Sequence, residues 1–283
     1  MGSGNWTTMA YNTTIKNMGF SDTRSITSAS VQTSFSAKCI NPQLNPLHVC
    51  RECIDTAEHP NTIPIMLCVD CTGSMGTSMK NCFAKLDETI TSLLNIVPDV
   101  EICVAGIGDF AYDAAPFQVS QYESDNRILD WLLKIWQERG GGGNRWESYT
   151  APWYFGLHHT KLDCWTREKK GIIITLGDEG LNSYLPCERV NEVFGDNLQS
   201  DVDTSILYQE ASKKFDIYHI AITDKDCSYK LHESEIEDSW RPILQERLFK
   251  GNSSDLPKLI SAIVTDSINS SNTVVASADG ISW

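Results

Sequence analysis

A run of mostly apolar residues at positions 63–69, Ile-Pro-Ile-Met-Leu-Cys-Val, restricts the possible fold more than any other feature of the chain. A run of strand length without polar alternation is typical of a strand buried on both faces of a sheet. It ends at Asp70, small and polar residues follow, and apolar residues then recur at helical spacing over residues 77–95. A strand, a short polar turn and an amphipathic helix form the start of a βαβ unit, which predicts a parallel sheet.

The rest of the chain repeats this alternation. Its apolar patterns predict strands at residues 100–107, 117–119, 171–176 and 215–222, and helices at residues 128–136, 147–159, 203–214, 235–247 and 256–268. Alternating strands and helices predict an α/β fold, here a doubly wound, mostly parallel sheet with helices on both faces. We expect an irregular N-terminal segment over residues 1–60 that packs on the core, a domain over residues 61–270, and a C-terminal tail over residues 271–283.

Charge and composition exclude several classes of function. The formal net charge is -14, so the surface repels phosphate backbones and no nucleic-acid partner is expected. No apolar stretch approaches the length of a membrane-spanning helix, and the N-terminus does not resemble a secretory signal, so no membrane partner is expected. Several of the 10 cysteines lie in predicted core elements, which is typical of reduced thiols and favours the cytoplasm.

Acidic residues follow several of the predicted strands. Asp70, Asp109 and Asp178 each come directly after an apolar run or one residue beyond it, and ligands of open parallel sheets bind beyond the carboxyl ends of strands. Carboxylates gathered at one edge repel each other unless a cation lies between them. Thr72 and Ser74 share the turn of Asp70, and alternate residues of such a turn can face the same ion. Because Mg²⁺ prefers hard oxygen ligands, this spacing predicts a magnesium site.

These residues carry a resemblance to a known family. Residues 69–75, Val-Asp-Cys-Thr-Gly-Ser-Met, closely resemble the metal-ion-dependent adhesion site of von Willebrand factor A-type (vWA) domains, whose pattern is Asp-x-Ser/Thr-x-Ser. In that family a threonine from a later glycine-rich loop and an aspartate after a further strand complete the site. Asp178, in Gly-Asp-Glu at positions 177–179, resembles that last aspartate. The resemblance covers roughly residues 60 to 270 and implies a Rossmann-like vWA fold.

The glycine-rich loop departs from the family's usual Gly-Gly-Thr. Its sequence, Gly-Gly-Gly-Gly-Asn-Arg-Trp-Glu-Ser at positions 140–148, resembles a branch of intracellular bacterial and phage members. The resemblance then implies that Glu147, Asn144 or Thr150 occupies the fourth ligand position. Glu147 is the first choice, because it stands at the predicted start of a helix, where the family's threonine normally lies.

The resemblance implies a metal-dependent protein-binding module, an adaptor or assembly factor rather than an enzyme. The implied cofactor is Mg²⁺, with Mn²⁺ or Ca²⁺ as alternatives. The implied partner is a protein that offers an acidic residue to the ion, and an ATPase is one candidate. The competing hypothesis is an Mg²⁺- or Mn²⁺-assisted hydrolase of a phosphoester, which would need a general base and cations for the phosphate. Only Lys80 and Arg145 are expected near the rim of the site.

Simpler interpretations stand beside these hypotheses. Asp70 or Ser74 could merely cap the following helix, although a cap needs one residue and here three oxygen-bearing side chains share one turn. Asp109 is expected in a neighbouring loop that shapes the rim. Cys50 and Cys53 form a Cys-x-x-Cys pair, but the second pair of a structural zinc site is missing at suitable spacing.

Overall fold

The computed structural model describes residues 39–125, 127–138 and 144–278. Within these residues the strands are β1 (Arg51–Cys53), β2 (Ile63–Asp70), β3 (Val100–Ile107), β4 (Phe117–Val119), β5 (Trp146–Glu147), β6 (Thr160–Leu162), β7 (Gly171–Gly177), β8 (Gly180–Leu181), β9 (Tyr184–Leu185), β10 (Val202–Asp203), β11 (Phe215–Ile222) and β12 (Leu248–Gly251). The α-helices are α1 (Gly76–Ile96), α2 (Arg127–Lys134), α3 (Ala151–His158), α4 (Cys187–Phe194), α5 (Thr204–Ala211), α6 (Tyr229–Leu244) and α7 (Leu256–Ala278).

Six strands form the central sheet, in the order β12-β11-β7-β2-β3-β4. All neighbouring pairs are parallel except β3 and β4 at one edge, so the fold is mixed α/β with a mostly parallel sheet, as the sequence predicted. The chain passes from β2 to β3 on one side and later continues with β7 on the other side of β2. The strand order therefore reverses between β2 and β7, and ligands of open α/β sheets bind at such a reversal, beyond the carboxyl ends of the strands.

The central strand β2 is buried on both faces, which explains its continuous apolar run. Alternate residues of a strand point to opposite faces, and the residues of β2 divide accordingly between two hydrophobic clusters. The first cluster joins β2 to α3, α5 and α6, and includes Met66, Cys68, Trp153, Ala211 and Trp240. The second cluster joins β2 to α1, α2 and α7, and includes Leu67, Val69, Leu86, Ile128 and Ile260.

Helix α1 follows the prediction for residues 77–95 closely. It begins after a 3₁₀ turn at Gly73–Met75, which connects it to β2 through the short polar segment that contains Thr72. Its buried apolar residues recur at intervals of three or four positions and are Met79, Cys82, Leu86, Ile90 and Leu93. This spacing places them on one face of the helix, which packs on the sheet beside α7.

The predicted helix at residues 147–159 is wrong at its start. Glu147 lies in the short strand β5, which pairs with β8, and the helix begins only at Ala151. Pro152 occupies the first turn of α3, where the absence of a backbone N–H costs no hydrogen bond. Helix α6 starts before the predicted residue 235, at Tyr229, and α7 continues beyond residue 268 to Ala278, into the predicted tail.

The N-terminal segment reaches the core through a small second sheet. Strand β1 pairs in parallel with β6, and the guanidinium of Arg51 donates to the backbone oxygen of Val119 on the central sheet (2.9 Å). Residues 1–38 and the glycines at positions 140–143 lie outside the described residues. All ten cysteines are free thiols, and most of them are buried. No described helix combines the length and the apolar character that spanning a membrane requires.

Candidate functional site

Asp70 is the last residue of β2 and is completely buried. Its Oδ1 accepts hydrogen bonds from the backbone N–H of Thr72 (2.9 Å) and from the Thr72 hydroxyl (2.6 Å). A carboxylate that binds the backbone two residues on shapes a tight turn. This turn keeps the Thr72 hydroxyl on the same side as the Asp70 carboxylate, as the spacing of the motif predicted.

The hydrogen-bonded series continues from Thr72 to the neighbouring strand. The hydroxyl oxygens of Thr72 and Ser74 lie 3.0 Å apart, and the Ser74 hydroxyl donates to Oδ1 of Asp178 (3.1 Å). Asp178 directly follows β7, and its Oδ2 accepts from the backbone N–H of Ser228, in the segment between β11 and α6 (2.7 Å). The fold thus brings four predicted site residues into contact at the reversal of strand order between β2 and β7.

Tyr149 belongs to the site, and the sequence reasoning missed it. Its hydroxyl donates to Oδ2 of Asp70 (2.6 Å), so both oxygens of this buried carboxylate are hydrogen-bonded. The Tyr149 ring packs against the rings of His219 (4.9 Å between centroids) and Trp240 (5.3 Å). Gly177 at the end of β7 makes room for it, because a Cβ at that position would overlap the phenol oxygen. Nothing in the sequence marks this tyrosine as a partner of Asp70.

The candidates for the fourth position differ in their surroundings. Glu147 is buried, and its Oε2 has no hydrogen-bond partner among the described residues. Asn144 instead donates to Oδ2 of Asp109 (2.7 Å). The Thr150 hydroxyl accepts from the side-chain amide of Asn182 (2.6 Å). Of the three, Glu147 is therefore the one with an unsatisfied oxygen.

Negative charge accumulates around these residues. Burial, followed by the charge of Asp178, raises the pKa of Asp70, while hydrogen bonds from Thr72 and Tyr149 lower it in part. Burial also raises the pKa of Asp178, and repulsion from Glu179 adds to this shift. Burial likewise raises the pKa of Glu147, and repulsion from Asp70 adds to it.

These carboxylates have little compensating positive charge: that of Arg145 lowers the pKa of Glu179 only in part. Within the described part of the chain, none of Asp70, Glu147, Asp178 and Glu179 forms an ion pair. Burial raises the pKa of Glu179 as well, and its Oε2 has no hydrogen-bond partner among the described residues. A buried charge is costly unless it is paired, so a bound cation would relieve this repulsion.

The donor atoms suit a hard cation. Carboxylate and hydroxyl oxygens are the ligands that Mg²⁺ and Ca²⁺ prefer. Among the described residues, no group of three or more His, Cys, Asp and Glu side chains is arranged to hold a metal ion. An ion at this position would therefore depend on the hydroxyls of Thr72 and Ser74 in addition to carboxylates. The two cysteines of the Cys-x-x-Cys pair lie in different environments, since Cys50 is exposed and Cys53 is buried.

Comparison with known proteins gives a likeness of fold alone. No family model matches the sequence, and no curated protein matches it. Among solved structures, the chain is similar to the pilus adhesin SpaC from Lactobacillus rhamnosus GG in its open conformation, with 13% identity over 79% of this chain and a TM-score of 0.51. A second structure of the same adhesin gives 13% identity over 79% of this chain and 32% of the adhesin, with a TM-score of 0.46. The first match covers 31% of the adhesin, so the chain spans about a third of that protein.

Proposed function

We propose that residues 61–270 form a doubly wound vWA-type domain that binds a partner protein through a divalent ion, Mg²⁺ or alternatively Mn²⁺ or Ca²⁺. The strand order supports the fold assignment, because it reverses between β2 and β7. Asp70 ends the first of these strands and Asp178 follows the second, so both lie where ligands of such folds bind.

One observation carries the proposal: a continuous series of contacts joins Asp70, Thr72, Ser74 and Asp178. Helix capping alone would not explain it, since Asp178 comes from a different loop and the cluster is strongly acidic. These four residues would hold the ion. Glu147 would complete the set, because its Oε2 is buried without a partner among the described residues.

The surrounding residues keep these oxygens in place before any ion binds. Tyr149 and the Thr72 backbone hold the two oxygens of Asp70, and the Ser228 backbone holds Asp178. Such supporting contacts orient ligands and strengthen metal binding. The ion, when bound, supplies an open coordination position that a carboxylate of the partner can occupy. Neutral hydroxyl ligands leave more of the ion's positive charge for that carboxylate than an all-carboxylate set would.

The proposed biological role is that of an adaptor or assembly factor, and an ATPase is one candidate partner. The competing phosphoester hydrolase would need free positive charge for the phosphate. Arg145, one of the two cations predicted near the rim, is ion-paired with Glu235 (2.6 Å). No contact in the described residues favours the hydrolase.

The first test measures metal binding with Mn²⁺, whose exchangeable waters enhance the relaxation of water protons. We expect enhancement with the wild type and its loss in Asp70→Asn, because removing one carboxylate charge from a set that is half hydroxyl weakens its competition with the ion's water shell. Asp238→Asn is the matched control, since it removes an exposed carboxylate on α6. Adding glutarate should then reduce the enhancement, because its carboxylate displaces bound water. Equal enhancement in the wild type and Asp70→Asn would place the ion elsewhere.

A second measurement separates the two functions. The protein is incubated with Mg²⁺ or Mn²⁺ and p-nitrophenyl phosphate, and release of nitrophenol is followed. A binding module gives no turnover above the metal alone. Turnover that disappears in Asp70→Asn and persists in Asp238→Asn would instead support the hydrolase.

A further inference from the structure

A pocket of about 330 Å³ opens on the same end of the sheet as the candidate metal site. This volume lies within the range of about 300–1,000 Å³ that is usual for small-ligand pockets. Its walls come from the loop after β3, the segment around β5 and the loop after β7, and its lining residues are Asp109, Ala111, Asn144, Trp146, Ser148, Asn182, Ser183, Tyr184 and Pro186. None of the five proposed metal ligands lines it, so the pocket is a separate feature.

One carboxylate gives this pocket its charge. Asp109 is 5% exposed; its Oδ1 accepts from the backbone N–H of Ala111 (2.8 Å) and its Oδ2 from the side chain of Asn144 (2.7 Å). These contacts fix the orientation of the carboxylate, and each oxygen keeps capacity for a further donor. Neither lysine nor arginine is among the lining residues.

The neighbourhood adds further negative charge. Asp113 and Glu147 are close enough to Asp109 to interact with it electrostatically. Arg145 pairs with Glu235. Arg189 pairs with Glu192, donates to the backbone oxygen of Asp113, and lowers the pKa of the Asp113 carboxyl in part. Asp109 itself forms no ion pair among the described residues, so a cation in the pocket would be attracted to its carboxylate.

Aromatic side chains line the pocket beside this carboxylate. Trp146 lies against Gly180, where a Cβ would overlap the indole ring, and Tyr184 is 50% exposed at the pocket. A planar cation is attracted to aromatic rings, and arginine combines such stacking with hydrogen bonds to a carboxylate. The pocket therefore presents the set of groups that arginine recognition uses.

Part of the exposed apolar surface lies at the same end of the sheet as the pocket. Three large apolar side chains are strongly exposed on segments that follow the carboxyl ends of β3, β7 and β11: Tyr112 at 60%, Tyr184 at 50% and Leu231 at 80%. Of these three, Tyr184 lines the pocket itself. Exposed apolar side chains beside a polar site are typical of a surface that binds another protein.

We propose that this pocket binds the guanidinium group of an arginine side chain from the partner protein. Asp109 accepts hydrogen bonds from the guanidinium, and Trp146 and Tyr184 contact its planar face. The proposal rests on the proposed function in one respect, since the arginine belongs to the protein whose carboxylate reaches the ion. It implies that the partner carries an arginine close to its acidic residue.

The test uses small probes and an excess of chelator, so its outcome does not depend on the metal. N-acetyl-arginine amide carries the guanidinium, and N-acetyl-citrulline amide has the same shape without the charge. The protein is labelled with ¹⁵N-tryptophan, and the indole signal of Trp146 is assigned by its absence from Trp146→Phe. We expect the arginine probe to move this signal with an affinity in the millimolar range.

The charge of Asp109 should account for the preference. We expect citrulline to bind about tenfold more weakly than arginine, the effect of losing one charge-assisted hydrogen bond. Asp109→Asn should reduce the affinity for the arginine probe by a similar factor, whereas the control Asp238→Asn should not. Equal affinities for the two probes, or no movement of the Trp146 signal by the arginine probe, would overturn the proposal. The probe comparison is made on the wild type, so it stands even if Asp109→Asn fails to fold. If arginine binds here but Mn²⁺ does not bind at Asp70, the pocket stands and the proposed function fails.

Discussion

Two completely buried tyrosines allow a matched test of the contact that holds Asp70 in place. Tyr149 donates to Oδ2 of Asp70 (2.6 Å), whereas the Tyr122 hydroxyl has no hydrogen-bond partner among the described residues. Replacement by phenylalanine removes the same oxygen atom in both cases and keeps the ring. The Tyr149 hydroxyl also accepts from the backbone N–H of Glu179 (3.3 Å), so the difference between Tyr149→Phe and Tyr122→Phe measures both contacts. The shorter bond to the buried carboxylate is expected to contribute most of it.

The expected cost follows from the chemistry of the contact. Losing a hydrogen bond to a charged, buried acceptor costs about 1.5–3 kcal/mol, so Tyr149→Phe should lower the free energy of unfolding by about 2 kcal/mol. For a domain of this size, that corresponds to a decrease in Tm of about 4 °C. Tyr122→Phe removes a buried hydroxyl without a partner, and should change stability by less than about 0.5 kcal/mol or increase it slightly.

The cost should also depend on pH. The bond from Tyr149 lowers the pKa of Asp70, so it favours the ionised carboxylate. Its contribution is greatest above the pKa of Asp70 and decreases as the pH falls and the carboxylate is protonated. Urea unfolding in chelator should therefore show a larger loss for Tyr149→Phe at pH 8 than at pH 5. Equal losses for the two tyrosine variants at pH 8 would refute this account of the site.

The same pair of variants tests the role of Tyr149 in metal binding. Residues that orient a metal ligand typically contribute about 10–100-fold to affinity. Tyr149→Phe should weaken Mn²⁺ binding by about tenfold, and Tyr122→Phe should leave it unchanged. If both variants bind Mn²⁺ as the wild type does, Tyr149 has a structural role only.

Three further predictions concern single positions. Burial raises the pKa of Glu101 from 4.5 to about 7, so the wild type loses stability as the pH rises from 4.5 to about 7. In urea unfolding, Glu101→Gln should therefore be about 2 kcal/mol more stable than the wild type at pH 8 and show no gain at pH 4.5. Gly177→Ala should lower the Tm and Mn²⁺ affinity together, because the new methyl group would displace the Tyr149 hydroxyl; an unchanged affinity would contradict this. Asp203→Ala should cost about 1 kcal/mol in thermal melts, because the Asp203 side chain accepts from the backbone N–H of Ile206 at the start of α5, and a neutral result would show that this cap is dispensable.

The central strands could be predicted from the sequence because their burial leaves a local signature. Both β2 and β3 are covered on both faces, and their apolar runs coincide with the observed bounds almost to the residue. Helix α1 could be predicted equally well from the sequence, since it buries one face and exposes the other. In these elements the local pattern and the tertiary environment agree.

The start of α3 could not be predicted because it depends on contacts between distant segments. Glu147 becomes part of a strand only through its pairing with β8, more than thirty positions later in the chain. Helix α3 also lacks an amphipathic pattern, since its residues from Ala151 to Gly156 are all buried. Without a polar face, the spacing of apolar residues does not define where such a helix begins.

The candidate site also contains contacts that the sequence predicts and one contact that it does not. The contact between Thr72 and Asp70 follows from the motif's own spacing, and Asp178 could be placed because parallel strands end at one edge of the sheet. Tyr149 could not be found, because its contact with Asp70 depends on how the β5 segment crosses that edge. The ligand roles of these residues remain predictions that the metal-binding experiments test.

The close approach of Tyr149 to Gly177 couples two positions in evolution. A side chain at position 177 would occupy the space of the phenol oxygen, and this excludes any residue larger than glycine as long as the tyrosine is present. If residue 149 became smaller, the space would open and position 177 could accept a Cβ. In an alignment of relatives, the two columns should therefore change together, and a lineage that has lost the tyrosine should also have lost the restriction to glycine.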